Sequence, residues 1–562
     1  MKFRKAGFAA SCVAVALIGS AFAADPPAES TASTAKADSS ELQRLKDLLV
    51  KQQQQIEALK TALEAQQKQI ESIETAKPAG RAAASDQLTA SSVPMIVPGS
   101  TARAPRPLDA PLGPPPSPAA PQQAAAAETA APLQLKIGDT TFLPIGFMDA
   151  TAFWRDKDAG SSLGSSFGSV PYNNVTAGKL SEFRFTPQNS RIGFRIDGNW
   201  KGAHFIGYNE WDFLGTSGGN NLGVTNGAFV PRIRLYWVDV RKGQFEFLAG
   251  QSWSMMTPNR KGISPLPGDL FYSQVVDVNY MAGLTWTRQP GVRFLYHPSD
   301  KATLGISFEN PNQYIGGSAG GSPVVLPTAL AALAGSQLDN ASNVLVTPNV
   351  HPDIIAKAAF DPSSHVHFEV AGIERTFKVW NPNTNQYSTI AGGGGSVNAN
   401  LEIVKNFRLV TNNYWSAGGG RYLFGQAPDV VVRANGALSP IHSGGFVEGF
   451  EFTRKNWLLY AYYGGIYIQK NVTVDANGTS LVGYGYRGSA NNQNRMINEV
   501  TFGFNETLWK DSRYGAINFM GQYEYLTRNP WFVAVNAPKS THDNTIYFNL
   551  RYTLPGAPPP AK

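Results

Sequence analysis

From about residue 143 to 555, apolar and polar positions alternate in short runs. This is the period of a strand whose two faces meet different surroundings. The clearest run is 191–200. Ile192, Phe194, Ile196 and Trp200 fall on one face, and Arg191, Arg195, Asp197 and Asn199 on the other. Near the end of the run, Phe548, Leu550, Tyr552 and Leu554 oppose Tyr547, Asn549, Arg551 and Thr553 in the same way. Sixteen such segments follow one another: 145–155, 190–200, 203–214, 230–241, 244–254, 283–297, 301–309, 352–361, 364–377, 394–405, 407–416, 443–454, 456–469, 494–506, 513–527 and 542–554.

The connections alternate in length. Short turns such as Lys201-Gly202, Lys242-Gly243, Asn406 and Lys455 take turns with long loops at 156–189, 215–229, 255–282, 310–351, 378–393, 417–442, 470–493 and 528–541. An even strand count, short turns on one side and long loops on the other predict an all-β, 16-stranded antiparallel transmembrane β-barrel over residues 143–555. Both barrel ends then lie on the short-turn side, the periplasm. Trp154, Trp200, Trp457 and Trp531 sit near strand ends, as interfacial girdle residues do.

The N-terminal quarter has another texture. Residues 1–23 carry Lys2, Arg4 and Lys5, an apolar run from Phe8 to Ile18, and Ala21-Phe22-Ala23, the layout of a secretory signal. Residues 39–76 place Leu42, Leu45, Leu49, Gln52, Ile56, Leu59, Leu63, Gln66, Ile70 and Ile73 at alternating spacings of three and four, a periplasmic coiled-coil helix. Residues 77–132 are a linker rich in Pro and Ala, an extended tether open to contact with peptidoglycan.

Composition sharpens this division. The chain has 562 residues, with 11 Trp, 21 Tyr and 31 Phe, yet none of these between Phe22 and Phe142. Only the later part can build a core or a membrane face. Mean hydropathy is −0.21, and beyond the signal no apolar run reaches the roughly 18 residues of a membrane helix. The single cysteine, Cys12, lies inside the signal, so the processed chain has no thiol chemistry and no disulfide. Formal charge falls from +7 to +4 once Lys2, Arg4 and Lys5 are removed. That surplus is too small to argue for nucleic acid as a partner.

Alternation sorts the candidate residues. Arg191 and Arg195, then Glu210 and Asp212, then Arg232 and Arg234 would face the lumen from three adjacent strands, a basic, acidic, basic wall. Arg suits a track for carboxylate or phosphate because its fork makes two-point contacts. The competing reading is that Glu210 and Asp212 neutralise those Arg and stiffen the wall. His365 and His367 have the spacing of a metal pair but no third ligand nearby, so they read as lumen-lining. Gly392–Gly395 reads as a loop, and with no helix following it cannot cradle phosphate. Asn477-Gly478-Thr479 matches a glycosylation pattern that is inert in a bacterial outer membrane.

Signal, coiled coil, Pro-rich spacer and barrel together resemble the DcaP-like trimeric outer-membrane porins, and more loosely the phosphate-selective porin O and P superfamily. The stretches that carry the resemblance are Ser190-Arg191-Ile192-Gly193-Phe194, Glu210-Trp211-Asp212-Phe213, Arg232-Ile233-Arg234-Leu235, Leu248-Ala249-Gly250-Gln251-Ser252-Trp253 and Arg288-Gln289-Pro290-Gly291-Val292-Arg293. One departure is that the last strand runs on into Pro555-Gly556-Ala557-Pro558 rather than stopping on an aromatic residue. The resemblance implies a homotrimer in outer-membrane lipid and lipopolysaccharide, with the coiled coil in the periplasm. It also implies that the third long loop, 255–282, folds into the barrel as the constriction. That loop holds Pro258, Arg260, Lys261, Pro265, Pro267, Asp269 and Tyr272, with Arg260 and Lys261 as an electrostatic gate and Arg293 beside its base. The function expected is passive diffusion of small anionic solutes (small carboxylates or phosphate), with no catalysis, cofactor or metal. A cell-envelope tether or adhesin anchored by the barrel is the alternative.

Overall fold

The computed structural model describes residues 133–215, 229–271, 275–317, 323–341 and 347–555. The signal, the coiled coil, the Pro/Ala linker and Tyr272 lie outside the described residues.

Sixteen antiparallel strands close on themselves. They are β1 (Thr140–Arg155), β2 (Arg191–Trp200), β3 (Ala203–Gly215), β4 (Val230–Lys242), β5 (Phe245–Trp253), β6 (Arg288–Ser299), β7 (Ala302–Glu309), β8 (Asp353–Ser363), β9 (Val366–Asn381), β10 (Gln386–Val404), β11 (Phe407–Ala417), β12 (His442–Arg454), β13 (Trp457–Ile468), β14 (Asn494–Asp511), β15 (Gly515–Pro530) and β16 (Thr541–Thr553). Each pairs with its sequence neighbour, and β1 pairs with β16 to leave no open edge (Phe147 opposite Thr553, Arg155 opposite Thr545). On its other edge β1 pairs with β2 along its lower half and with the short segment Glu182–Thr186 along its upper half.

Tight turns join strands at one rim. At Lys201-Gly202 both residues have positive φ, 48° and 77°, the geometry of a two-residue hairpin turn, and Gly at the second position adopts it without strain. The outer wall is apolar. Ile192 is 57% exposed and Phe548 52%, exposures a water-facing sheet would not tolerate around its whole circumference. Trp200, Phe245, Trp457, Trp509 and Tyr514 are exposed beside the tight turns, an aromatic ring at that membrane edge. Trp154 is exposed at the opposite end of β1. Trp531 is instead partly buried, and its indole N–H donates to the Ile468 carbonyl at 2.9 Å.

One hairpin departs from the expected boundaries. The loop expected at 378–393 is strand: β9 runs to Asn381 and β10 starts at Gln386, so Gly392–Gly395 pair with Gly372–Arg375 inside the sheet. The glycines were a poor sign of a loop because packing requires them. A Cβ on Gly392 would sit 2.5 Å from the Ala417 carbonyl and 2.9 Å from the Phe377 ring. The third loop is also longer than expected, since β6 begins only at Arg288.

Candidate functional site: the barrel lumen

The interior is not an empty tube. The loop between β5 and β6 enters it and is fastened to the far wall by side chains that alternation turns inward. Glu309 on β7 accepts from the Met255 amide at 2.8 Å, and Asp361 on β8 accepts from Gly262 at 3.0 Å. Asn412 on β11 accepts from Thr285 at 2.8 Å, Glu499 on β14 from Ala282 at 2.7 Å, and Gln522 on β15 from Val276 at 2.8 Å. These acceptors satisfy backbone N–H groups that a loop buried in a barrel would otherwise leave unpaired. Trp286 in this loop stacks on Phe424 from the loop between β11 and β12, with ring centroids 4.4 Å apart.

The loop's charged residues take specific places. Arg260 binds Glu451 on β12 through two contacts, 2.8 and 2.6 Å, and also donates to the carbonyls of Leu270 and Phe271. It ties the loop down at this point, so its guanidinium is committed to a wall carboxylate. Lys261 beside it is exposed. Asp269 is half-buried and accepts the Ser264 hydroxyl at 2.6 Å; burial pushes its carboxyl above the usual range, against the nearby positive charges of Lys261 and Arg260. Arg293 is buried at the loop base, donating to the Trp253 carbonyl at 2.6 Å and to the Ser252 hydroxyl.

On the near wall the expected residues do meet. Register sets Arg191 opposite Asp212, and Asp212 opposite Arg232. Between β3 and β4 the register slips at Glu210, which faces Leu235 while Trp211 faces Ile233. Arg234 is the extra residue of this bulge. Arg234 and Leu235 are therefore both buried, although they are adjacent in sequence. Arg234 binds Glu210 and Asp212, each at 2.8 Å; Arg232 binds Asp212 at 2.8 Å, and Arg191 lies 3.7 Å from Glu210. Arg195 stands apart, paired with Asp197 on its own strand at 2.6 Å. Of the first six candidates, five form one network and Arg195 does not join it.

Two arginines outside the candidate wall join the network, Arg551 from the polar face of the last strand and Arg288. Arg551 on β16 pairs with Asp149 at 2.7 Å, and its guanidinium lies 4.0 Å from the Phe147 ring, whose centroid is 5.1 Å from that of Arg191. Arg288 sits 5.7 Å from the Trp253 ring, as Arg234 does, and makes no ion pair among the described residues. Arg288 begins β6 opposite Trp253 and lies five positions from buried Arg293, on the opposite parity, so alternation alone would not place the two arginines together. Together Arg191, Arg232, Arg234, Arg288 and Arg551 face Glu210, Asp212 and Asp149, leaving two guanidinium groups in excess. Arg191 Nε, Arg234 Nη2 and Arg288 Nη1 are buried with no acceptor among the described residues. Arg232 remains the accessible member, its side chain 40% exposed.

The histidines are held by carboxylates. His367 on β9 contacts Asp361 at 2.9 Å and Glu369 at 3.3 Å, and His365 in the preceding turn contacts Glu402 at 2.7 Å. They do not share a site, and no cluster of metal-ligating residues occurs among the described residues.

A closed barrel, apolar outside and charged inside, with a loop folded through its lumen, defines the transmembrane porin architecture. The DcaP outer-membrane channel of Acinetobacter baumannii has the same fold: 16% identity over 75% of this chain and 99% of that one, with a TM-score of 0.53. Salmonella typhi OmpF in complex with daunomycin (11% identity, 75% and 100% covered, TM-score 0.41) and Pseudomonas putida OprB (10%, 73% and 94%, 0.39) match over similar lengths, but their shapes differ too much for detailed comparison. No protein-family model matches the chain, and no curated protein matches it.

Proposed function

We propose that the protein is an outer-membrane porin, a passive channel for small hydrophilic anions, carboxylates first and phosphate second. The observation that carries this reading is the guanidinium excess on the near wall, with three buried N–H groups that have no acceptor. In a narrow, low-dielectric passage such groups raise the local concentration of anions. Glu210 and Asp212 offset most of that charge, so a passing carboxylate is held weakly and released. The inserted loop narrows the passage, with Arg260 as its anchor to Glu451 and Lys261 as its exposed charge. The two readings of the Arg wall, anion track and internal neutralisation, are thus combined in one network.

The same reading places the signal peptide at 1–23, a periplasmic coiled coil at 39–76 and a tether at 77–132, with three copies assembled in lipid and lipopolysaccharide and the tether near peptidoglycan. Nothing in this account requires a chemical step; transport is diffusion.

Reversal potential across a planar bilayer under a salt gradient tests it. The expected result is anion selectivity, reduced or reversed by Arg232→Ala with Arg234→Ala, which leaves Asp212 unpaired. Absence of any current from purified protein would overturn the channel; cation selectivity would overturn the charge assignment while leaving the barrel intact.

A further inference from the structure

A second polar site lies at the loop-side mouth, bordering the near-wall network at Thr287 and Gln289 on either side of Arg288. The loop between β11 and β12 leaves the barrel at Ala417 and meets the ends of β6 and β7, several strands around the wall. Trp286 bridges to Leu423 there, and the Trp286 amide donates to the Tyr422 carbonyl at 3.0 Å. The loop therefore crosses over the lumen. Beneath it is a cavity of about 290 Å3 bordered by Gln289, Asn312, Tyr314, Asp339 and Arg421. That volume equals about ten water molecules of liquid, enough for a solute of sugar size.

Two groups in this cavity are built in and left with capacity to spare. Arg421 is only 8% exposed, makes no ion pair among the described residues, and donates one side-chain hydrogen bond, from Nη2 to the Asn310 carbonyl at 2.9 Å. Its position is set by its own backbone, whose N–H donates to Asp429 at 2.9 Å. Tyr314 is 6% exposed, and its hydroxyl has no partner among the described residues. Its backbone is likewise held by Asp429, which accepts the Tyr314 amide at 3.0 Å. Asp339 is held in place by its hydrogen bonds, its carboxylate accepting from Asn312 at 2.7 Å and from the Ala341 amide at 2.7 Å. A buried hydroxyl without an acceptor incurs a desolvation cost unless something occupies the space beside it, and the Arg421 guanidinium next to that space has only the Asn310 carbonyl as a side-chain hydrogen-bond acceptor among the described residues. Burial pushes the Tyr314 phenol up, with Asp339 and Asp429 adding to it, so the hydroxyl stays a donor at physiological pH.

We propose that this cavity is an entry site for a small polyhydroxy carboxylate. Arg421 takes the carboxylate, Tyr314 donates a second bond to it, and the Gln289 and Asn312 amides meet the hydroxyls. An uncharged polyol of the same size lacks the group that Arg421 and Tyr314 need. The class deepens the anion-channel reading and rests on it for its transport role, but binding itself needs no current.

Calorimetry on the full chain in detergent, with gluconate as the probe and sorbitol as the uncharged control, tests the site. Gluconate binding is expected, with sorbitol at least tenfold weaker. Arg421→Gln should weaken gluconate about tenfold or more, and Tyr314→Phe by severalfold. Arg195→Gln, whose guanidinium is paired with Asp197 at 2.6 Å away from this cavity, should leave gluconate binding unchanged. Tyr314→Phe keeps the ring and its packing, so it decides the matter if Arg421→Gln fails to fold. Gluconate binding that ignores both substitutions, equal binding of sorbitol, or no binding at millimolar gluconate would each overturn the site. Absence of current with gluconate binding intact would overturn the channel reading alone, and absence of anion selectivity with gluconate binding intact would overturn the near-wall charge assignment alone.

Discussion

Arg288 and Arg195 show why a residue's neighbours matter more than its type. Both are arginines of the barrel wall, Arg195 on β2 and Arg288 on β6. Arg195 is matched by Asp197 at 2.6 Å, whereas Arg288 makes no ion pair among the described residues and stands 5.7 Å from the Trp253 ring. A paired guanidinium adds little net field, and an unpaired one adds a full charge. Arg288→Gln should therefore move the reversal potential toward zero, and Arg195→Gln should leave it nearly unchanged; equal shifts in both variants would refute the distinction. Of the residues expected from alternation, Arg191, Glu210, Asp212, Arg232 and Arg234 stand together because cross-strand register is local and period-two. Arg195 was expected with them, but a same-strand acid two residues on claimed it.

The third loop is the element on which conduction depends most. It leaves β5 and is held to at least six other strands, among which the Arg260–Glu451 pair is the only bidentate ion pair among the described residues. Glu451→Gln removes the charge from a largely buried partner and should cost about 2 kcal/mol locally. Single-channel recordings should then show larger and noisier unitary currents; an unaltered trace would mean the loop is held adequately without this pair. Asp269 gives the loop a pH dependence. Its folded carboxyl binds its proton more tightly than the unfolded one, so its contribution to stability is best at low pH and is lost as pH rises through the raised value. Asp269→Asn should accordingly raise the thermal midpoint near pH 8 and make little difference near pH 4. A variant less stable than the wild type at pH 8 would contradict this. None of these contacts could be read from the chain, because each joins a loop residue to a wall residue more than a hundred positions away or on a strand whose register is not known beforehand.

At the scale of the molecule, strand order, the rim of tight turns and the apolar exterior follow from alternation and turn chemistry. The exception, the β9–β10 hairpin, shows where that logic fails: glycines chosen for close packing against Phe377 imitate glycines chosen for a turn. The apolar exterior predicts that the processed chain stays dispersed only in detergent or lipid, as light scattering on detergent removal would report. If the coiled coil only gathers three copies, deleting residues 39–76 should leave unitary conductance unchanged while reducing the share of trimers on cross-linking. Altered unitary conductance would instead place that segment in the conducting path.

By itself the sequence determined a closed antiparallel cylinder of sixteen strands, because side-chain alternation and short turns act over a few residues and need no distant partner. Tertiary structure alone decided which arginines are neutralised and which are left over, where the inserted loop is anchored, and that Arg421 and Tyr314 share a cavity. Those outcomes depend on one bulge at Arg234 and on loops crossing the lumen, and pairings between remote positions leave no periodic mark in the chain.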